Sequence, residues 1–229
     1  MKPQKNKKRN VLLRVFDLRY IFYDFVKITG ILPIILYLRL KFYYENGQRQ
    51  KGLFRGPSII VSNHTGTFDI IVLLAILWNR RISFIAKKDL FKKKIGKLFF
   101  NGVRAISLDS ENVSIDVIKK AQNVIESGHL VGIFPEGHIN TKKKIDDFKA
   151  GAVLLSILTD APIIQVYIEK REKWWKRQRV VISDKIYLKN YISFEYPTVN
   201  EMEKISKMLY QKEVELCDII KNDGGKNNE

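Results

Sequence analysis

His64 precedes Asp69 by five positions in the stretch Ser62-Asn63-His64-Thr65-Gly66-Thr67-Phe68-Asp69. An imidazole with an ordinary pKa of about 6.5 can take a proton from a hydroxyl near neutral pH. A carboxylate on its other ring nitrogen fixes the tautomer and stabilises the imidazolium that results. The apolar run Ile59-Ile60-Val61 precedes this stretch and Ile70 to Leu77 follows it, so it reads as a turn between a strand and a helix. Gly66 is expected to supply the backbone freedom for the bend. The same residues also fit a helix N-terminal carboxylate beside an ordinary loop histidine, and these eight residues alone leave both readings open.

A second group lies at the end of another apolar run, where Leu130 to Phe134 gives way to Pro135-Glu136-Gly137-His138. A carboxylate and a glycine at the carboxyl end of a buried strand stand where open α/β sheets bind ligands. A plain turn with an exposed Glu136 is the alternative. His138 adjoins Glu136 and is either a neighbour of the site or a loop histidine bonded to backbone, while His129 reads as structural. Downstream, Phe148-Lys149-Ala150-Gly151-Ala152 opens a helix and Asp160-Ala161-Pro162-Ile163-Ile164 opens a strand.

The elements that must position these residues alternate. Strands are expected at 58–61, 82–86, 105–108, 130–134, 162–168 and 180–182, and helices at 69–78, 88–100, 113–126, 150–158 and 199–221. Asn112 suits the start of the third helix and Gly128 its stop. The last helix carries Met202, Ile205, Met208, Leu209, Leu216, Ile219 and Ile220 at helical spacing. The fold class is therefore α/β, a mixed and largely parallel sheet flanked by helices. The expected division is a disordered basic tail at 1–10, an amphipathic helical pair at 11–50, the main domain at 51–221 and a second disordered tail at 222–229.

Charge narrows the partners. The 229 residues include 41 Lys or Arg against 24 Asp or Glu, a net charge of +17. Residues 1–55 hold thirteen Lys or Arg against Asp17, Asp24 and Glu45. An anionic partner is implied, whether a membrane surface, a phosphorylated substrate or nucleic acid. The single Cys217 excludes an intrachain disulfide framework and a cysteine metal cluster. In the apolar, aromatic segment 11–44 the longest charge-free run is Ile28 to Leu38, short of the roughly 20 residues that span a bilayer. No small-residue cleavage site follows it to mark a signal peptide. Two helices broken near Gly30 to Pro33 and lying in a membrane interface fit the mixture of apolar, basic and tyrosine residues; a hairpin packed on the core is the alternative. Trp174 and Trp175, inside the basic run 169–179, suit a second contact with anionic lipid, and would equally suit base stacking.

Asn63-His64 with Asp69, then Phe134-Pro135-Glu136-Gly137, then Phe148-Lys149 before Gly151-Ala152, and finally Ala161-Pro162-Ile163-Ile164, resemble in order and spacing the successive blocks of the glycerolipid acyltransferase family, whose best known members are the lysophosphatidic acid acyltransferases. Ala86-Lys87-Lys88-Asp89-Leu90-Phe91 resembles the segment between its first two blocks. The resemblance covers about half the chain, from Ser58 to Ile168. It implies acyl transfer without a covalent enzyme intermediate: His64 as general base, Asp69 orienting it, and an acceptor hydroxyl attacking the thioester of an acyl-CoA or acyl-carrier protein. Asn63, Glu136, Gly137, Lys87 and Lys149 would line the substrate site, and backbone donors near the glycines would hold the oxyanion. No cofactor or metal is implied.

Two features depart from the family pattern. Where its second block ends in an arginine after an aspartate, this chain has Ser110 after Asp109. Where its third block continues with threonine, arginine and serine, this chain has His138-Ile139-Asn140. Both phosphate-binding arginines are thus replaced. The cations left for an acceptor phosphate are Lys142, Lys143 and Lys144, together with Lys87, Lys149 and Arg104. Arg104 shares a face with position 110 if the segment is one strand, but about 20 Å away. The function expected is a membrane-associated glycerolipid O-acyltransferase, peripheral or monotopic on the cytoplasmic face of the cell membrane. Its acceptor would be lysophosphatidic acid or a related lysolipid, with no nucleic-acid partner. The alternatives are a basic nucleic-acid-binding protein and an inactive membrane adaptor on the same fold.

Overall fold

In a computed structural model of the chain, residues 25, 29, 32–92, 94–108, 114–140, 144–171, 173, 175–192 and 197–225 are described. The elements are α1 (Leu32–Leu38), β1 (Lys41–Tyr44), β2 (Ser58–Ser62), α2 (Asp69–Ile76), β3 (Ile82–Lys87), α3 (Lys94–Gly102), β4 (Ile106–Leu108), α4 (Ile115–Glu126), β5 (Leu130–Ile133), α5 (Gly151–Thr159), β6 (Ile163–Ile168), β7 (Arg179–Ile182) and α6 (Val199–Gly225). Short 3₁₀ turns lie at Lys88–Phe91 and Leu188–Tyr191.

The strands form one seven-stranded sheet in the order β1-β7-β6-β2-β5-β3-β4. All neighbouring pairs are parallel except β6 with β7. The mixed, mainly parallel sheet expected from the alternation of elements is therefore present. Its centre is dry on both faces. Ile59 and Val61 of β2 enter a cluster with α4, α5 and the first half of α6, whereas Ile60 enters one with α2 on the other face. A strand covered on both sides needs apolar residues at every position, and this is why β2 and β5 read as unbroken apolar runs.

Several boundaries differ from expectation. Lys41–Tyr44, placed by sequence within the helical segment 11–50, is an edge strand parallel to β7. Aromatic residues favour a pleated, half-buried surface, and Phe42, Tyr43 and Tyr44 follow that preference. Within the described part of that segment, α1 packs through Ile34, Ile35 and Leu38 onto the cluster that includes α2. Pro33 sits in its first turn, where the missing N–H costs nothing. The rest of the expected helical pair lies mostly outside the described residues.

The helix expected at 88–100 is divided into the 3₁₀ turn and α3. Ser114, rather than Asn112, occupies the N-cap of α4, and Asn112 is outside the described residues. At the other end, α6 continues through residues 222–225, which had been assigned to a tail. Asp223 explains the extension: its carboxylate takes hydrogen bonds from Lys41 Nζ at 2.9 Å and from the Tyr43 hydroxyl, tying the helix end to β1.

Candidate active site

The site is built where β2 ends and α2 begins. Ser62 Oγ donates to Val166 O at 2.6 Å. One residue on, Asn63 Nδ2 donates to Ile168 O at 2.9 Å, and Ile168 N–H donates to Asn63 Oδ1 at 2.8 Å. A side-chain amide thus continues the ladder between β2 and β6 for one step after the strand has ended. Asn63, expected to touch substrate, is buried and turned toward β6 instead, where it fixes the exit of the chain.

His64 follows. Its Nδ1 lies 2.9 Å from Asp69 Oδ2, with the two side chains 14% and 5% exposed. The same Oδ2 accepts the N–H groups of Thr65 at 2.6 Å and Gly66 at 2.8 Å, and Oδ1 accepts Thr65 Oγ1 at 3.2 Å. Asp69 is the first residue of α2, so the helix dipole also favours its charge. An ionised Asp69 assigns the ring proton to Nδ1, which leaves the Nε2 lone pair to take a proton. Phe134 stacks on the imidazole with centroids 4.0 Å apart and planes 17° from parallel. Phe84 lies behind Phe134 at 6.1 Å. Gly132 makes that arrangement possible, because a Cβ there would meet Phe84 at 2.5 Å.

Gly66 does not serve as expected. It is absent from the positive-φ glycines, and a Cβ on it would meet nothing within 4 Å. The bend is held by Asp69, which takes up the backbone N–H groups inside the turn. Gly137 does need to be glycine, with φ at +74°. The N–H groups of these two glycines are themselves already bonded. Gly66 N–H is bonded to Asp69, and Gly137 N–H donates to Phe134 O at 3.1 Å.

Glu136 closes the site from below and is 2% exposed. Oε1 accepts His64 N–H at 3.0 Å, while Oε2 accepts Asn140 Nδ2 at 2.8 Å and Asp146 N–H at 3.3 Å. Three donors converging on one carboxyl match the acceptor-only capacity of a carboxylate. Glu136 therefore shapes the site by holding the His64 peptide. Asn140 completes the clamp by donating its own N–H to His64 O at 2.7 Å.

The cations divide by position. Lys149 Nζ lies 3.4 Å from where a Gly137 Cβ would stand, on the rim of the turn. Lys87 ends β3 at the same carboxyl edge of the sheet and is exposed. Lys144 is exposed, and its carbonyl receives Asn140 Nδ2 at 2.8 Å. Lys142 is outside the described residues. Arg104 is excluded from the group, since it precedes β4 with φ at +55°. The parallel register that sets Ile106 beside Ile85 and Leu108 beside Lys87 places it toward the opposite end of the sheet from His64. His138 stays at the margin: its Nδ1 faces Glu136 O and its Nε2 faces Asp146 Oδ2, both at 3.0 Å.

The acyltransferase family model matches residues 40–169, more than half of the chain. The chain belongs to the acyltransferase family. Its similar relatives include the 1-acyl-sn-glycerol-3-phosphate acyltransferase of Bacillus subtilis, 32% identical over 106 residues, 46% of this chain and 52% of that protein. Another is the human 1-acyl-sn-glycerol-3-phosphate acyltransferase alpha, 26% identical over 153 residues, 63% of this chain and 54% of the relative. The matched stretch thus spans about half the length of these relatives. The fold is similar to that of the 1-acyl-sn-glycerophosphate (LPA) acyltransferase PlsC from Thermotoga maritima, with a TM-score of 0.59 at 18% identity over 90% of this chain and 86% of that one.

Two residues of this family member's site escaped the sequence reading. Asn140 gave no signal, being one polar residue in a polar loop. Glu213 of α6 did give one: it interrupts the apolar stripe formed by Leu209, Leu216 and Ile220. It is fully buried and reaches the His64 turn from outside the family match, through Gln165 Nε2 at 2.8 Å and Asn63 N–H at 3.4 Å.

Proposed function

We propose that this acyltransferase moves a fatty acyl chain from an acyl-CoA or acyl-carrier-protein thioester to the hydroxyl of lysophosphatidic acid or a related lysolipid. The observation that carries the reading is the buried His64–Asp69 contact of 2.9 Å at the carboxyl edge of the sheet. In the proposed step His64 Nε2 takes the hydroxyl proton as the oxygen attacks the thioester carbonyl. The C–S bond then breaks, the ester forms, and the departing thiolate receives the proton from the imidazolium. Asp69 stabilises the imidazolium in between. Every atom is accounted for by the two substrates, with no acyl-enzyme, metal or cofactor step. Lys149, Lys87, Lys142 and Lys144 are the proposed phosphate contacts; each acts as a point charge, without the bidentate fork of an arginine.

Attachment to an anionic membrane surface is part of the proposal. No helix among the described residues is long and apolar enough to cross a membrane. Support for an interfacial mode comes from the basic N-terminal third of the chain and from Trp175, which is exposed between β6 and β7.

Labelled acyl-CoA or acyl-carrier protein, offered with lysophosphatidic acid, glycerol 3-phosphate and lysolipids of other headgroups in anionic vesicles, tests chemistry and surface together. Label should enter a phosphate-bearing lysolipid, and His64→Ala should lower that rate by about 10²- to 10⁴-fold, the usual contribution of a general base. Unchanged transfer in His64→Ala rejects the mechanism. In the same tubes the protein should sediment with anionic vesicles and less so as salt rises. Sedimentation only with an added oligonucleotide rejects the membrane reading.

A further inference from the structure

Glu213 is a carboxyl group with no exposure, on a helix face whose other buried residues are Ile205, Ser206, Leu209, Leu216 and Ile220. A leucine there would pack against the sheet without the desolvation cost of an acidic group. What the carboxyl touches is specific. It accepts Gln165 Nε2 from β6 at 2.8 Å, and its Oε1 faces Asn63 N–H at a long 3.4 Å. The next amide along, His64 N–H, ends on Glu136 Oε1 at 3.0 Å. Two successive peptide N–H groups, the second belonging to the base itself, therefore rest on two buried carboxyls from different elements. The Asn63 side chain is meanwhile fastened to Ile168. The peptide that carries His64 is held from α6, from β6 and from the turn after β5.

We propose that Glu213 is a positioning residue for His64, acting through the Asn63 amide; its kinetic consequence rests on the acyl-transfer reading of the same site. Burial, and to a lesser degree Glu136, push its carboxyl up to about 8, while the bonds from Gln165 and Asn63 pull the other way. The titratable groups facing it are Glu136 from the turn after β5 and Tyr167 from β6. Cys217 lies one turn further along its own helix. Ionisation of Glu213 above that pH places a negative charge against the peptide carrying the base, next to Glu136.

The test uses the full chain with Glu213→Leu and Glu213→Gln. In Glu213→Leu, kcat should fall about tenfold or more, as expected when a base is displaced by a fraction of an ångström. KM should stay within about twofold. The melting temperature should fall by no more than a few degrees, because the loss of a buried acid offsets part of the cost of leaving the Asn63 amide and Gln165 Nε2 without this acceptor. His64, one of three histidines, should titrate at a displaced pH by NMR, while His129 and His138 keep theirs. Glu213→Gln keeps the shape but offers one acceptor oxygen where two donors converge, so it should lower kcat by about two- to threefold and move the His64 titration in the same direction as Glu213→Leu. If Glu213→Leu does not fold, this variant decides.

An unmoved His64 titration overturns the proposal, whether kcat is retained or falls together with stability, the second result marking a merely structural residue. Wild-type protein that transfers to no acceptor while His64 shifts in Glu213→Leu defeats the proposed function and leaves the positioning role standing. Transfer by the wild type with His64 and kcat unmoved in Glu213→Leu does the reverse.

Discussion

Two histidine–aspartate contacts among the described residues are nearly equal in length, and they differ in what is left over. His64 meets Asp69 at 2.9 Å and His138 meets Asp146 at 3.0 Å. At the first, the carboxylate occupies Nδ1, Phe134 covers one face of the ring, and Nε2 is left for a substrate proton. At the second, both ring nitrogens are engaged, one by Asp146 and the other by Glu136 O. The His138 side chain is also 54% exposed, against 14% for His64. Contact with a carboxylate is therefore a poor mark of a base. Burial, a fixed ring plane and an unused nitrogen distinguish the pair that can do chemistry.

The largest expected effect that breaks this comparison is that of Asp69→Asn. The substitution keeps the volume but lets the amide donate to Nδ1, and the ring proton then moves to Nε2, where the substrate proton must go. It also asks one neutral oxygen to serve the Thr65 and Gly66 amides that a carboxylate now holds. We expect kcat to fall by about 10²- to 10³-fold with KM little changed, measured in the acyl-transfer assay. The corresponding Asp146→Asn should leave kcat within about twofold. Similar losses in both would mean that the two contacts are equivalent and that exposure is no guide.

The sequence showed these differences unevenly. Strands β2 and β5 were legible because both of their faces are dry, which forces continuous apolar runs. β1 was not: four residues next to an apolar helical segment carry too little periodicity, and only pairing with β7 decides their state. The His64–Asp69 pair could be read once Phe134 to Gly137 stood in the right order after it. Sequence spacing already set Arg104 about 20 Å from position 110, but it could not tell that Asn63 spends its side chain on β6. The Asn63 pairing follows from its strand neighbour, which is set by non-local contact. Glu213 is an intermediate case. A lone acid on an apolar helical stripe was visible, but its target across 150 residues of chain was not.

A smaller effect should come from the ring that covers His64. Phe134→Leu retains most of the volume and removes the stacked face. An aromatic pair adds about 0.5–1.5 kcal/mol beyond buried area, which corresponds to a factor of roughly two to ten if the ring plane is what the transition state uses. Phe134→Leu should therefore lower kcat by that factor. Phe134→Ala should lose more, together with melting temperature, since Phe84 behind it then borders a void. Equal activity in Phe134→Leu and wild type would show that Asp69 alone fixes the ring.

The smallest effect should be at His138, where the comparison is sharpest because sequence proximity to Glu136 favours a role and geometry opposes one. His138→Ala removes an exposed contact with Asp146 and one hydrogen bond to backbone, each of the kind that contributes about 1 kcal/mol or less. Its loss should appear as a fall of a few degrees in melting temperature, with kcat within about twofold of wild type and no change in the pH profile. The Glu136 carboxyl keeps its three donors from His64, Asn140 and Asp146 in this variant, so the peptide carrying the base has no reason to move. A tenfold loss of kcat at unchanged stability would place His138 in the chemistry after all, and a rise in KM confined to phosphate-bearing acceptors would instead make it the missing headgroup contact.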